Sequence, residues 1–276
     1  MAGRLRTAGH SVELLHVVTT GDRWSAAGGP DATRGLFVKE LEEALLDGRA
    51  DLAVHSAKDL PGELPQGLAI LAVPAREDPR DVLIGPPEGI VGLALGARVG
   101  TGSPRRAAQI RLARPDVVCV EIRGNVGTRL DKLARGQGVD ALMLAAAGLT
   151  RLGLSPAGVT TFDVTVCVPA PGQGALAIEG RADRSDLVEV VALLDDAATA
   201  GCVRAERALL AAMGGGCREP IGALGTIEDG LLRLVGFAAS EGGRANARGE
   251  VVGAVSDAER LGVELAATLA EQITSA

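Results

Sequence analysis

Ala50-Asp51-Leu52-Ala53-Val54-His55-Ser56-Ala57-Lys58-Asp59-Leu60-Pro61 begins as a short apolar strand and breaks into a hydroxyl, an ammonium and a carboxylate before a proline turn. Upstream, Phe37, Leu41, Ala44 and Leu45 fall on one helical face and Gly48 closes that helix, so a helix feeds a buried strand over residues 50–54. The order repeats downstream. A strand near residues 97–99 precedes a helix at 104–113, a strand at 117–122, a helix ending at 134 and a strand at 141–144. Helices alternating with apolar strands predict an α/β fold with open parallel sheets covered on both faces. Such sheets bind ligands beyond the carboxyl ends of their strands.

Two stretches interrupt this pattern. Arg76-Glu77-Asp78-Pro79-Arg80-Asp81 reads as a crossover between domains, and Val168-Pro169-Ala170-Pro171-Gly172-Gln173-Gly174 as the returning crossover. The body is therefore two-lobed, with residues 1–76 and 172–194 in one lobe and 77–171 in the other. Beyond residue 195 the composition shifts to a long Ala/Leu helix, a glycine loop, strand-like residues 231–237 and a final helix, which predict a third, α+β unit over 195–276. Ser256 and Glu259 have capping-box spacing ahead of Leu261, Leu265, Leu269 and Ile273 on one face of that last helix.

At 276 residues and 47% hydrophobic, the chain can bury several cores. Its aromatic residues are Trp24, Phe37, Phe162 and Phe237, too few for platforms that stack nucleic-acid bases, and its net charge of −7 does not attract a polyanion. Nucleic acid and membrane are thus not expected partners. Cys119, Cys167, Cys202 and Cys217 lack the paired spacing of a zinc or dithiol site, and no apolar leader or spanning run occurs. The expected setting is the cytoplasm.

Chemistry concentrates at strand ends. In Gly100-Thr101-Gly102-Ser103-Pro104-Arg105-Arg106, Ser103 suits the N-cap and Pro104 the first helical position, so backbone N–H groups and two guanidinium groups converge on an anion site. Arg123-Gly124-Asn125-Val126-Gly127-Thr128-Arg129 repeats the arrangement, and Arg151 ends the next strand-turn segment. There is no phosphate loop and no third glycine for a dinucleotide fingerprint, so a ligand with several carboxylates is expected. Asp59 either acts as a general acid or holds a developing cation, or else caps local N–H groups in an Asp-Leu-Pro turn, whereas His55 reads as a packed strand residue. In Gly214-Gly215-Gly216-Cys217 a thiol sits on a pliable loop where a helix stops, either as a reactive group or as an incidental neighbour of a helix cap.

Together, Val54-His55-Ser56-Ala57-Lys58-Asp59-Leu60-Pro61, the Gly100 and Arg123 motifs, Pro171-Gly172-Gln173-Gly174 and Gly215-Gly216-Cys217 resemble, in order and over nearly the whole chain, the porphobilinogen deaminase (hydroxymethylbilane synthase) family. The resemblance implies two lobes like type II periplasmic binding proteins plus a third domain that carries the cysteine. It implies head-to-tail condensation of four porphobilinogen molecules with release of ammonia. A dipyrromethane cofactor would be held by a thioether to Cys217, with no metal. Asp59 would be catalytic. Lys58, Ser56, Thr101, Ser103, Arg105, Arg106, Arg123, Asn125, Arg129 and Arg151 would hold the acetate and propionate groups of substrate, cofactor and growing chain, and Gln173 in the hinge would contact the cofactor. A cleft enzyme with moving domains is expected to be a monomer.

Two departures accompany the resemblance. Family members usually begin with a strand and a Thr-Arg-x-Ser segment, whereas this sequence opens at Met1-Ala2-Gly3-Arg4-Leu5-Arg6; either the start is placed too late or the first lobe is short of one strand, and the chain as given is expected to be weak in stability or activity. Where many members have Gly-Gly-Lys-Gly-Leu-Phe, this chain has Ala32-Thr33-Arg34-Gly35-Leu36-Phe37, so Arg34 would be the cation of a lid-like loop. Hinge and arginines alone would also suit a two-lobed polycarboxylate-binding protein without chemistry. The thiol of Cys217 distinguishes a primer-linked enzyme from such a binder.

Overall fold

A computed structural model describes residues 1–17, 38–214 and 220–275, so Arg34 and Cys217 lie outside the described residues. In chain order the elements of the first part are α1 (Ala2–Thr7), α2 (Lys39–Leu46), β1 (Leu52–Ser56), β2 (Leu68–Ala72), β3 (Asp81–Ile84), β4 (Arg98–Gly100), α3 (Pro104–Ala113), β5 (Val118–Val120) and α4 (Val126–Ala134). There follow β6 (Ala141–Ala145), α5 (Ala146–Arg151), β7 (Val159–Thr161), β8 (Leu176–Arg181), α6 (Ser185–Val191), α7 (Ala197–Ala212), β9 (Ile221–Glu228), β10 (Leu231–Ala239), β11 (Asn246–Ala254) and α8 (Ala258–Thr274).

The strands form three sheets, ordered β1-β8-β2, β5-β4-β6-β3-β7 and β11-β10-β9. Strands joined by local helices run parallel as expected: β4 pairs parallel with both β5 and β6. The crossover strands do not. β3 pairs antiparallel with β6 and β7, and β8 inserts antiparallel between β1 and β2. A strand that arrives from another sheet has no crossover helix dictating its direction, so the all-parallel expectation fails at these two strands. Among the described residues β1 is paired along one edge only, and residues 11–17 carry no strand.

The second sheet is buried on both faces. Along β3 and β6, Leu83, Ala141 and Met143 pack on one side with Val99 and Ile110, while Val82, Ile84, Leu142 and Leu144 pack on the other with Ile122 and Leu149. This accounts for the uninterrupted apolar runs. In the third unit Leu261, Leu265 and Leu269 of α8 are buried against Leu232 and Leu234 of β10 and Leu209 of α7. Gly262 makes the two helices' contact possible, since a Cβ there would lie 2.3 Å from the Ala205 carbonyl oxygen.

Local signals correspond closely to the observed ends of some elements. Ser103 accepts from the Arg106 N–H with Pro104 at the first position of α3, and Asn125 accepts from the Thr128 N–H at the start of α4. Others differ. The Ser256–Glu259 capping box does not form: residues Val255–Asp257 make a 3-10 turn, Asp257 takes the N-cap position, and the Ser256 hydroxyl turns to the Asp257 carboxylate. Arg151 is the last residue of a helix rather than of a strand-turn segment, because β6 passes directly into α5.

Candidate active site

β1 leads into the candidate cluster. Beyond Ser56 the chain tightens into a 3-10 turn, Ala57–Asp59, pinned by the Ala57 N–H to the Ala175 carbonyl at 3.0 Å and by buried Leu60. Lys58 and Asp59 are left half-buried. The return crossover lies directly against this turn: Gly172 has φ +74°, and a Cβ there would sit 2.9 Å from both the Ala57 carbonyl carbon and the Lys58 nitrogen. Only glycine permits both the backbone conformation and the approach.

The two crossovers bind each other beside it. The Glu77 N–H donates to the Gly174 carbonyl at 3.0 Å, and Arg151 Nη2 donates to the same oxygen at 2.7 Å. Gln173, 1% exposed, donates from Nε2 to the Pro79 carbonyl at 2.6 Å and to Asp81 Oδ1 at 2.9 Å. Gln173 thus joins both crossovers at once.

Asp81, the first residue of β3, is fully buried and central to the second lobe's charge. It accepts from Arg105 Nη1 at 2.7 Å, from Arg106 Nε at 2.9 Å, and from the Cys167 thiol at 3.3 Å. Burial pushes its carboxyl upward, but the adjoining Arg105 and Arg106 charges prevail and hold it well below the usual carboxylate range. Arg105 also donates to the Val168 carbonyl at 2.6 Å and is 3% exposed. Its guanidinium is thereby enclosed. Arg106, 7% exposed, also reaches the Met143 carbonyl and the Gln173 side-chain oxygen.

Thr101 is buried and its hydroxyl accepts from the Ser103 N–H at 3.1 Å. Arg129 is half-buried, its Nε donating to the Gly124 carbonyl at 2.7 Å. Burial, then the nearby Arg106 charge, lowers its pKa. Lys58, from the other lobe, is brought down to about 8 by burial first, partly offset by Asp59, with Arg106 and Arg105 lowering it further. Lys58, Arg106 and Arg129 therefore share one electropositive region. Arg123 and Asn125 are exposed, Arg123 Nε donating to Glu121 at 2.7 Å. His55, expected as a packed strand residue, is 5% exposed with Nε2 2.9 Å from the buried Glu179 carboxylate.

Asp81, Glu206 and Arg76 belong to none of the site motifs of the sequence. Asp81 carried a signal: an acid opening the wholly apolar run Val82-Leu83-Ile84 has to be paired once buried. Glu206, inside an Ala/Leu helix and fully buried, carried the same one.

The sequence pattern described as "Porphobilinogen deaminase, dipyromethane cofactor binding domain" matches residues 1–189, and that described as "Porphobilinogen deaminase, C-terminal domain" matches residues 200–271. The chain belongs to the porphobilinogen deaminase family. A porphobilinogen deaminase of Acidothermus cellulolyticus is 50% identical over 276 residues, spanning 98% of this chain and 83% of that protein. One from Trichlorobacter lovleyi is 47% identical over 266 residues, spanning 95% and 84% respectively. Porphobilinogen deaminase is a transferase of tetrapyrrole biosynthesis, acting on porphobilinogen with a dipyrromethane cofactor. Arg106 adds its charge to the fields at both Lys58 and Arg129, while Arg105 is taken up by Asp81 and the Val168 carbonyl. Among the described residues no cluster of metal-ligating side chains occurs, and no helix is long and apolar enough to cross a membrane.

Proposed function

We propose that Asp59 is the catalytic residue of this porphobilinogen deaminase and that Cys217 carries its cofactor. The observation that supports this reading is the turn at Lys58 and Asp59, packed on Gly172 of the return crossover, with Lys58 within the field of the Arg106 charge. Asp59 donates a proton to the amine that leaves porphobilinogen as ammonia. Its carboxylate then stabilises the positive charge left on the substrate pyrrole and accepts the proton that the alkylated ring releases. Dipyrromethane, held by Cys217, would supply the pyrrole carbon to which four porphobilinogen units are joined, and water would supply the hydroxyl of the hydroxymethylbilane that leaves.

Lys58, Ser56, Thr101, Ser103, Arg123, Asn125, Arg129 and Arg151 hold carboxylates in this reading. Arg106 contributes field and contact from the edge of its Asp81 pair. Arg105, enclosed by Asp81 and Val168, positions Arg106, and Gln173 sets the hinge beside the cofactor. Arg34 adds a lid cation. Residues 1–76 with 172–194, 77–171 and 195–276 move as three domains, and the protein works as a cytoplasmic monomer without metal or nucleic acid.

Thiol chemistry favours Cys217. Burial pushes Cys167 up to about 12 and Cys202 to about 11, and it raises Cys119, so these thiols are far from thiolate at neutral pH. Intact-mass measurement tests the assignment: protein supplied with porphobilinogen should carry two linked pyrrole rings, and Cys217→Ser should show the bare polypeptide mass. An adduct that survives the substitution refutes it.

A further inference from the structure

A cavity of about 380 Å³ opens between the outer edge of β2 and α7, and no residue of the cleft described above lines it. Its apolar wall is Ile70, Val73, Val203 and Ala208, and its cations are Arg204 and Arg207. These arginines stand three residues apart on α7, hence on one face. Neither forms an ion pair among the described residues. Arg207 Nη2 donates to the Gly62 carbonyl at 3.0 Å, but Nη1 is buried with no hydrogen-bond partner. The buried Glu179 carboxylate attracts this guanidinium from the interior, so the donors that meet the cavity are the remaining ones of Arg207 and those of the exposed Arg204. Two carboxylates share the cavity. Asp195 is already engaged by the Val73 N–H at 2.7 Å, and Glu259 is exposed at the first turn of α8.

We infer that this cavity binds a small organic carboxylate with an apolar body, the carboxylate between Arg204 and Arg207 and the hydrocarbon against Ile70, Val73 and Val203. The site is separate from the cleft and does not depend on the roles assigned there. Arg207 holds Gly62, three residues beyond Asp59, with its other nitrogen, so an occupant shares a guanidinium with the loop that follows the catalytic turn.

Isothermal titration of the full chain with hexanoate, leucine and hexan-1-ol tests the inference. Hexanoate or leucine should bind saturably at one site and hexan-1-ol should not. Tighter binding of leucine would mean that Glu259 receives an ammonium. Removing one charge-assisted bond in Arg207→Met should weaken binding about tenfold or more. Arg204→Met, on an exposed part of the helix, should do the same with the fold intact by circular dichroism. Arg129→Met, in the cleft, should leave binding unchanged. Absence of saturable binding, or binding that ignores both α7 variants and falls in Arg129→Met, overturns the site.

Discussion

Arg76 and Glu206 form a two-pronged ion pair, with Arg76 Nη1 on one carboxylate oxygen at 2.5 Å and Nη2 on the other at 3.0 Å. The same carboxylate, fully buried, accepts the Gly172 N–H at 2.6 Å and the Gly225 N–H at 2.8 Å. One side chain of α7 thereby holds the outgoing crossover, the returning crossover and β9 of the third unit. Glu206→Ala leaves a buried guanidinium and two buried N–H groups without acceptors. The expected loss is roughly 3–5 kcal/mol in urea unfolding, as for other broken buried pairs. A loss below about 1 kcal/mol, the range of exposed pairs, would contradict this role.

Asp59→Asn keeps the shape of the turn and removes the proposed proton donor. Turnover of porphobilinogen should fall by about 10²–10⁴, the range of general acid–base contributions, while the unfolding midpoint stays near that of the parent. Comparable activity in the variant would require another acid.

Lys58 titrates near 8 in the folded protein, below its unfolded value of about 10.4. As an ammonium it attracts carboxylates, so kcat/KM for porphobilinogen should decline as pH rises through about 8 in the free enzyme. Arginine stays charged there, and Lys58→Arg should move that limb upward. Stability has the opposite slope. Between about 8 and 10.4 the unfolded chain binds more protons than the folded one, so Lys58 makes the fold relatively more stable as pH rises through that window, a rise that Lys58→Met should lack.

Asp81 is the reverse case. Its folded pKa lies below the unfolded value of about 3.9, so its contribution is complete above that value and is lost as pH falls further towards the folded pKa. Acid titration of stability should show this loss in the parent and not in Asp81→Asn. At neutral pH the variant should be destabilised by about 3–5 kcal/mol, because Arg105 and Arg106 remain buried without their counter-charge. Equal neutral-pH stability would remove Asp81 from the centre of the lobe.

Gly172→Ala introduces a methyl group 2.9 Å from the backbone of Ala57 and Lys58 at a φ of +74°. The side chain forces the turn carrying Asp59 away from the crossover. A destabilisation of about 1–3 kcal/mol is expected from overpacking, with a fall in kcat that Ala170→Gly does not share. Stopped assays with substrate in excess separate the two.

The elements with their own local chemistry were legible in the chain. Ser103-Pro104 and Asn125 cap helices through groups within three residues, and strands 141–145 and 231–239 follow from apolar runs. Ser256 does not cap the last helix because hydrogen bonding at a helix start depends on how the preceding strand enters, and β11 enters α8 through a 3-10 turn. The reversed directions of β3 and β8 are absent from any local pattern, since an apolar strand reads alike in either direction.

The cleft divides in the same way. Sequence alone determined the residue types at the strand ends: Asp59 and Lys58 after one strand, and arginines after two others, because side-chain chemistry and helix capping act over a few residues. Only tertiary structure decided which of those charges stay open to a ligand. Arg105 and Arg106 meet Asp81 across 24 and 25 residues, Arg76 meets Glu206 across 130, and Gln173 meets Asp81 across 92. A charge is neutralised by whatever lies within a few ångströms, and that neighbour is set by chain packing, not by spacing along the chain.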